Sequence, residues 1–213
     1  MSRSATVAIM PRPKEFDREV VLATAREVFW RQGYKATSTE DLRLAMSIGR
    51  QSFYDTFGSK KQLYLEVLRR YNADGLQAFA SELQTTASPL AALRSILLSF
   101  SRQNPHQRAL GCMGVAAMCE FGVGDPEVAG IGKASVSRLE ALLERLLRDA
   151  KARGEARASL RERAAARHLS ATVLGLKVMS KAGATTEALR DVAVAALESI
   201  APYDSRHAAR TRQ

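Results

Sequence analysis

The chain has 213 residues, of which 46% are hydrophobic and two are cysteines. A chain of this size can bury a core as one large domain or two small ones, which excludes extensive disorder, and two cysteines offer no disulfide framework. The formal net charge of +10 favours a polyanionic partner without proving one, because a solvated basic helix face gives the same excess.

The first predicted helix begins at Asp17 and ends near Gly33, since apolar residues recur between them at intervals of three and four. Residues 1–11 have no such periodicity. The basic segment Arg12-Pro13-Lys14 is open to two interpretations, an arm that lies along DNA or a plain disordered tail.

The stretch Ser38–Lys60 has the pattern of two short helices joined by a tight turn. A side-chain oxygen at Ser38 or Thr39 can cap the first helix. After the break at residues 47–49, the second helix places Phe53 and Phe57 one turn apart on an inner face and leaves polar side chains on the outer face. This arrangement predicts a helix-turn-helix whose second helix enters a major groove of DNA.

Beyond Ser59, which can cap the next helix, the same periodicity predicts six further helices. They cover residues 60–86, 89–104, 111–121, 126–153, 161–181 and 186–200. No segment alternates apolar and polar residues as a half-buried strand does. The fold class is therefore predicted to be all-α.

Several classes of protein are disfavoured by what the sequence lacks. No apolar run reaches the roughly 20 residues of a membrane span, and the N-terminus has no apolar stretch of a signal peptide. No phosphate-binding glycine loop, nucleophile elbow or zinc-ligand cluster occurs. We expect a cytoplasmic, soluble protein that is not an enzyme, has no membrane partner and uses no cofactor or metal.

Residues 16–60 carry a specific signature. Its members are Ala25, Phe29, Gly33, Tyr34, Thr37, Ser38, Asp41, Leu42, Ala45, Ser52, Phe53, Tyr54, Phe57, Gly58, Ser59 and Lys60. This signature resembles the TetR family of bacterial one-component transcriptional regulators. Three positions depart from the family pattern. Ser47 stands where the turn usually has glycine, Gly49 stands where the third helix usually has a serine or threonine cap, and Gln51 replaces a commonly smaller residue.

The resemblance implies a plan of about nine helices. Residues 1–62 would form an N-terminal arm and a three-helix helix-turn-helix head that binds DNA. Residues 63–204 would form a helical body for ligand binding and dimerisation, followed by a tail at residues 205–213. The implied function is a ligand-released repressor with three partners: a double-stranded DNA operator, a small-molecule effector and a second copy of the chain. The alternatives are a transcriptional activator, or a helical interaction scaffold that does not read DNA.

The resemblance also implies roles for residues of the head. Tyr54 and Lys60 are expected to contact phosphates, with help from Thr39. Base edges are expected to be read by Arg50, Gln51, Ser52 and Asp55, because arginine suits guanine, glutamine suits adenine and a carboxylate can accept from cytosine. Asp55 has two alternatives: it bonds Gln51 one turn earlier, or it faces solvent beside the DNA.

The body is expected to bind the effector, and the candidate residues are aromatic, thioether and thiol side chains. They are Tyr71, Phe79, Phe100, Met113, Met118, Cys119 and Phe121. Such side chains can line an adaptable pocket, but they can equally be plain core. A thiol or metal sensor is the alternative, but Cys112 and Cys119 lie about 10 Å apart along a helix, too far for one disulfide or one ion without distortion.

The last two predicted helices are expected to pair with those of a second chain. Their apolar faces exceed what one body needs to cover. The residues concerned are Ala171, Leu174, Leu176, Val178, Leu189, Val192, Ala196 and Ile200.

Overall fold

A computed structural model describes residues 16–86 and 88–202 of the chain. Every regular element in these two ranges is helical, which confirms the all-α fold class. The elements are α1 (Arg18–Gln32), α2 (Thr39–Met46), α3 (Arg50–Phe57), α4 (Lys60–Thr85), α5 (Pro89–Ser99), a 3-10 turn (Phe100–Arg102), α6 (Pro105–Leu110), α7 (Met113–Phe121), α8 (Pro126–Ala152), α9 (Glu162–Lys181) and α10 (Thr186–Glu198). The segment Arg12-Pro13-Lys14 and the proposed tail lie outside the described ranges.

The nine expected helices are present, and the described part of the chain has one further short helix, α6. It forms because Asn104 accepts a hydrogen bond from the backbone of Gln107, whose side chain accepts one from the backbone of Asn104 in return. Pro105 occupies the first turn, where a missing N–H costs nothing. Within the two described ranges, no helix is long and apolar enough to cross a membrane.

The caps of the first helices match the sequence-based predictions. The Ser38 hydroxyl accepts from the backbone N–H of Asp41, and the Asp41 carboxylate accepts from the backbone N–H of Ser38. Hydrogen bonding of the Asp41 carboxylate, first with the backbone N–H of Ser38 and next with its side chain, holds the pKa of Asp41 below its usual value. Ser47 ends α2 in the left-handed region at φ 55°, which accounts for the glycine that the family prefers there.

Two clusters of buried apolar side chains hold the helices together. The first joins α1, α2 and α3, which we call the head, to the first two turns of α4. It continues into α7 and α8 through Met113, Ala117 and Val128. The second cluster lies between α5, α8, α9 and α10 in the body, which comprises α4 to α10. One core therefore spans head and body, and α7 is part of it.

The outer side of α9 is partly apolar. Ala171 and Val178 are exposed there, and Leu174 and Gly175 between them are half-exposed. The other expected interface residues do not all face outward: Leu176, Leu189, Ala196 and Ile200 are buried in this chain's own core. Period 3.6 places Leu176 and Val178 on opposite sides of the helix, although both are apolar.

Candidate nucleic-acid interface

Helix α3 separates an apolar side from a polar side. Phe53 and Phe57 are buried, with their ring centroids 5.8 Å apart. Arg50, Gln51 and Asp55 are exposed, as expected of residues that meet DNA. Tyr54 packs edge-on against Phe53 but keeps 41% of its surface exposed, so its hydroxyl can reach a phosphate. Ser52 on α3 and Thr39, the first residue of α2, are both half-exposed.

Two of the predicted base-reading residues are joined to each other. The Gln51 amide Nε2 donates to Asp55 Oδ1 at 2.8 Å, across one turn of α3. This geometry corresponds to the alternative in which Asp55 orients Gln51. A fixed glutamine amide can present its remaining donor and acceptor to an adenine edge with little loss of side-chain entropy.

The turn between α2 and α3 is held by side chains whose role the sequence pattern does not reveal. Ile48, between the two helices, is buried among the apolar residues of the head. The Arg43 guanidinium donates to the Ile48 carbonyl at 2.9 Å and to the Glu40 carboxylate at 2.9 Å. This arrangement fixes α3 relative to α2 before any DNA is bound.

Lys60 is predicted to contact phosphate, and in the structure its side chain binds groups of the protein itself. Its ammonium donates to the carbonyls of Tyr34 at 3.0 Å and Thr37 at 2.8 Å. It also lies 4.1 Å from the centroid of the Tyr34 ring. Two of its three hydrogens are thus used within the protein.

The loop between α1 and α2 is held by the body. The carboxylate of Glu120, on α7, accepts from the backbone N–H groups of Tyr34 and Lys35. Burial, and next the charge of Glu120, raise the pKa of both Tyr34 and Tyr64. Sequence reasoning missed Glu120, although an acid as the only charged residue of the apolar stretch 112–121 was a usable signal.

The predicted effector residues are dispersed. Tyr71 and Phe100 line a cavity of about 200 Å³ that also touches Trp30, Cys112 and Lys177. The other five predicted residues do not line this cavity. Phe79 packs on the body core, Met113 is buried under the head, Phe121 packs on Tyr34 and Tyr64, and Met118 and Cys119 are exposed.

A groove between α4 and α8 was not expected from the sequence. It consists of two adjoining hollows of about 420 and 540 Å³, which share Leu76 and Arg138.

Cys112 and Cys119 are both free thiols. In the described part of the chain, no three histidine, cysteine or acidic side chains are grouped to hold a metal ion.

Comparisons with known proteins agree with this geometry. Residues 21–67 match the family model of bacterial regulatory proteins of the tetR family, and residues 87–196 match that of the tetracyclin repressor-like C-terminal domain. In sequence, the chain is 33% identical over 184 residues to the uncharacterized HTH-type transcriptional regulator YezE of Bacillus subtilis (strain 168), covering 85% of this chain and 95% of that protein. It is 28% identical over 188 residues to the HTH-type transcriptional repressor ComR of Escherichia coli (strain K12), covering 85% and 88%.

Among solved structures, the chain is similar to the TetR family transcriptional regulator CifR, a cysteine mutant complexed with 26-base-pair operator DNA. The TM-score is 0.76 at 27% sequence identity, and the match covers 88% of this chain and 98% of that one. The likeness includes both the head and the body, because it extends over nearly the whole of each chain.

Proposed function

This chain belongs to the TetR family of bacterial DNA-binding transcriptional regulators, and we propose that it acts as a homodimeric repressor that a small-molecule effector releases from a double-stranded DNA operator. The observation that carries the proposal is α3, which buries Phe53 and Phe57 and exposes the hydrogen-bonded pair Gln51 and Asp55. A helix that is packed on the protein along one side and exposes polar side chains on the other is suited to a major groove. The similarity to a repressor and to an operator-bound regulator supports the same reading.

The proposed contacts divide into positioning and reading. Tyr54, Thr39 and the third ammonium hydrogen of Lys60 bind phosphates and set the register of the head on the duplex. The base edges are read by Arg50, Gln51, Ser52 and Asp55. Two heads of a dimer then occupy successive major grooves about 34 Å apart, and an effector that changes their spacing releases the operator.

The division of labour within the chain follows from this proposal. Residues 1–62 contain the DNA-binding head and residues 63–204 the regulatory body. We place the effector in the cavity lined by Tyr71 and Phe100, because its wall also includes Trp30 of the head. A bound molecule there touches both parts at once. The relatives of this chain are transcriptional regulators, and we assign it no catalytic activity.

Selection of bound duplexes from a random DNA pool tests both the proposal and the role of Asp55. The wild type is expected to enrich a palindromic site, and its affinity for that site should fall steeply with salt. Asp55→Ala frees Gln51 and is expected to flatten the preference at one or two positions of each half-site, costing about 1–3 kcal/mol of discrimination there.

The matched control for Asp55→Ala is Asp41→Ala, which removes the same charge from the capping box of α2 and leaves α3 unchanged. It is expected to destabilise the head without altering the selected sequence. Failure of the wild type to enrich any site would refute the proposed function. An unaltered preference profile in Asp55→Ala would rule out base reading or orientation by Asp55 and leave it beside the DNA.

The dimer is proposed to form through the outer side of α9, around Val178, which is 52% exposed. Val178→Asp places two unpaired carboxylates at a centre expected to bury well over about 1,000 Å². Sedimentation at micromolar concentration is expected to give twice 23.3 kDa for the wild type and 23.3 kDa for the variant.

The control is Val123→Asp, since Val123 is 94% exposed in the connection between α7 and α8. Its mass is expected to stay that of a dimer. A monomeric wild type would refute the homodimer itself, whereas a dimeric Val178→Asp would place the interface elsewhere on the body.

A further inference from the structure

The carboxylate of Glu120 binds two consecutive backbone amides of the head. Tyr34 N donates to Oε2 at 3.0 Å and Lys35 N donates to Oε1 at 2.6 Å, so each oxygen takes one N–H. These partners lie 86 and 85 positions away in the sequence. Hydrogen bonds from N–H groups to a carboxylate are among the stronger ones in proteins, and two of them define a direction as well as a distance.

The backbone is shaped for this contact. Gly33, just before the two amides, has φ +80°, and a Cβ there would lie 3.3 Å from Glu120 Oε2. Glycine therefore supplies both the left-handed turn and the room for the carboxylate. The loop that follows leads directly into the Ser38 cap of α2.

The same loop is held from its other side. Lys60 binds the carbonyls of Tyr34 and Thr37, and the Thr37 hydroxyl donates to the Gly33 carbonyl at 2.6 Å. Two N–H groups of the loop thus donate to an anion on α7, while two of its carbonyl groups accept from a cation on α4. Removing either charge takes away the partner of two backbone groups of the loop.

The corner between α7 and α8 also contacts the first turn of α4, directly after the head. Lys61, in the first turn of α4, forms an ion pair with Asp125, and its ammonium lies 5.1 Å from the centroid of the Phe121 ring. Glu120 and Asp125 therefore hold the two segments that flank α2 and α3.

The N-terminal end of α7 adjoins the cavity that Tyr71 and Phe100 line. Cys112, the residue before its first turn, lines that space, and the neighbouring Gly111 carbonyl accepts from the Trp30 indole N–H at 3.1 Å. A helix rises 1.5 Å per residue, so about 12 Å separate Cys112 from Glu120. One short helix thus connects the cavity to the loop before α2.

We propose that Glu120 is a positioning residue for DNA binding, whose carboxylate holds the loop 33–37 so that α2 and α3 are set for the major groove. The inference rests on the proposed function, because it gives Glu120 a role only if the head reads DNA. It makes α7 the element through which the body acts on the head.

The test is Glu120→Gln, which keeps the shape of the side chain but replaces one acceptor by an NH₂ donor that faces a backbone N–H. The matched control is Glu127→Gln, an exposed acid in the first turn of α8 near the same corner. The probes are the duplex selected by the wild type and a random duplex of equal length.

Glu120→Gln is expected to weaken binding to the selected duplex about tenfold, the equivalent of one charged hydrogen bond, and to weaken binding to the random duplex less. The salt slope is expected to stay unchanged, because no phosphate contact is removed. Hydrogen exchange of the Tyr34 and Lys35 amides should accelerate while that of α1 does not. Glu127→Gln is expected to bind both duplexes within about twofold of the wild type, since it breaks none of these contacts.

A purely structural role would lower both affinities equally and accelerate exchange throughout the head, and either result would overturn the inference. Equal binding by Glu120→Gln and wild type would overturn it too, while leaving the proposed function intact. If the wild type selects no duplex at all, the proposed function fails instead. Should Glu120→Gln not fold, Glu120→Asp takes its place, and unfolding of both would assign Glu120 to stability alone.

Discussion

Phe53→Ala is expected to lower the free energy of unfolding by about 3–5 kcal/mol, the range for truncating a fully buried phenylalanine. Phe53 has no exposed surface and contacts the rings of Phe57 and Tyr54. The residues around Phe53 can close the resulting cavity only in part, because they belong to helices packed on one another. For a chain of this length, we expect the thermal midpoint to fall by about 10 °C, as measured by circular dichroism.

Tyr54→Ala is the control, because it removes the neighbouring ring, which is partly exposed. Tyr54 is 41% exposed, so its loss is expected to cost about 1 kcal/mol or less of stability while weakening binding to all duplexes alike. The two variants together separate the buried side of α3 from the side that meets DNA. A midpoint shift for Phe53→Ala no larger than that for Tyr54→Ala would contradict the assignment.

Lys60→Met is expected to give the second largest effect. The methionine keeps much of the apolar stem but loses the hydrogen bonds to the Tyr34 and Thr37 carbonyls and the contact with the Tyr34 ring. A hydrogen bond to a charged group contributes about 1.5–3 kcal/mol when shielded, and the half-exposed position of Lys60 reduces this. We expect a loss of about 2 kcal/mol, or roughly 5 °C in the midpoint.

DNA binding by Lys60→Met is expected to fall at least about tenfold for selected and random duplexes alike, with a salt slope lower by about one. Lys35→Met is the control, since Lys35 is exposed in the loop that Lys60 binds and carries the same charge. Its thermal midpoint is expected to stay at the wild-type value. An unchanged salt slope in Lys60→Met would refute the phosphate contact and leave Lys60 with its structural role alone.

Local sequence patterns predict nine of the ten α-helices in the described ranges, the caps at Ser38 and Ser59, and the position of the helix-turn-helix. The Ser38 capping box, the Ser59 cap and the apolar pair Phe53 and Phe57 depend on residues within about four positions of one another, which local patterns report directly. The hydrogen bond between Gln51 and Asp55 belongs to the same class, because one turn of helix brings the two side chains together. Even the short helix α6 carried a local signal in its asparagine, proline and glutamine.

Which residues pack against each helix depends on the tertiary structure, and local patterns do not report it. Periodicity marks a side chain as apolar but cannot say what covers it, so Leu176 is core while Val178 is exposed on the same helix. The contacts of Glu120 with the loop join residues 85 and 86 positions apart, and those of Lys60 join residues 23 and 26 apart. Such contacts form because hydrophobic burial brings distant helices together, and the hydrogen-bonding groups then pair with whatever neighbour the packing supplies.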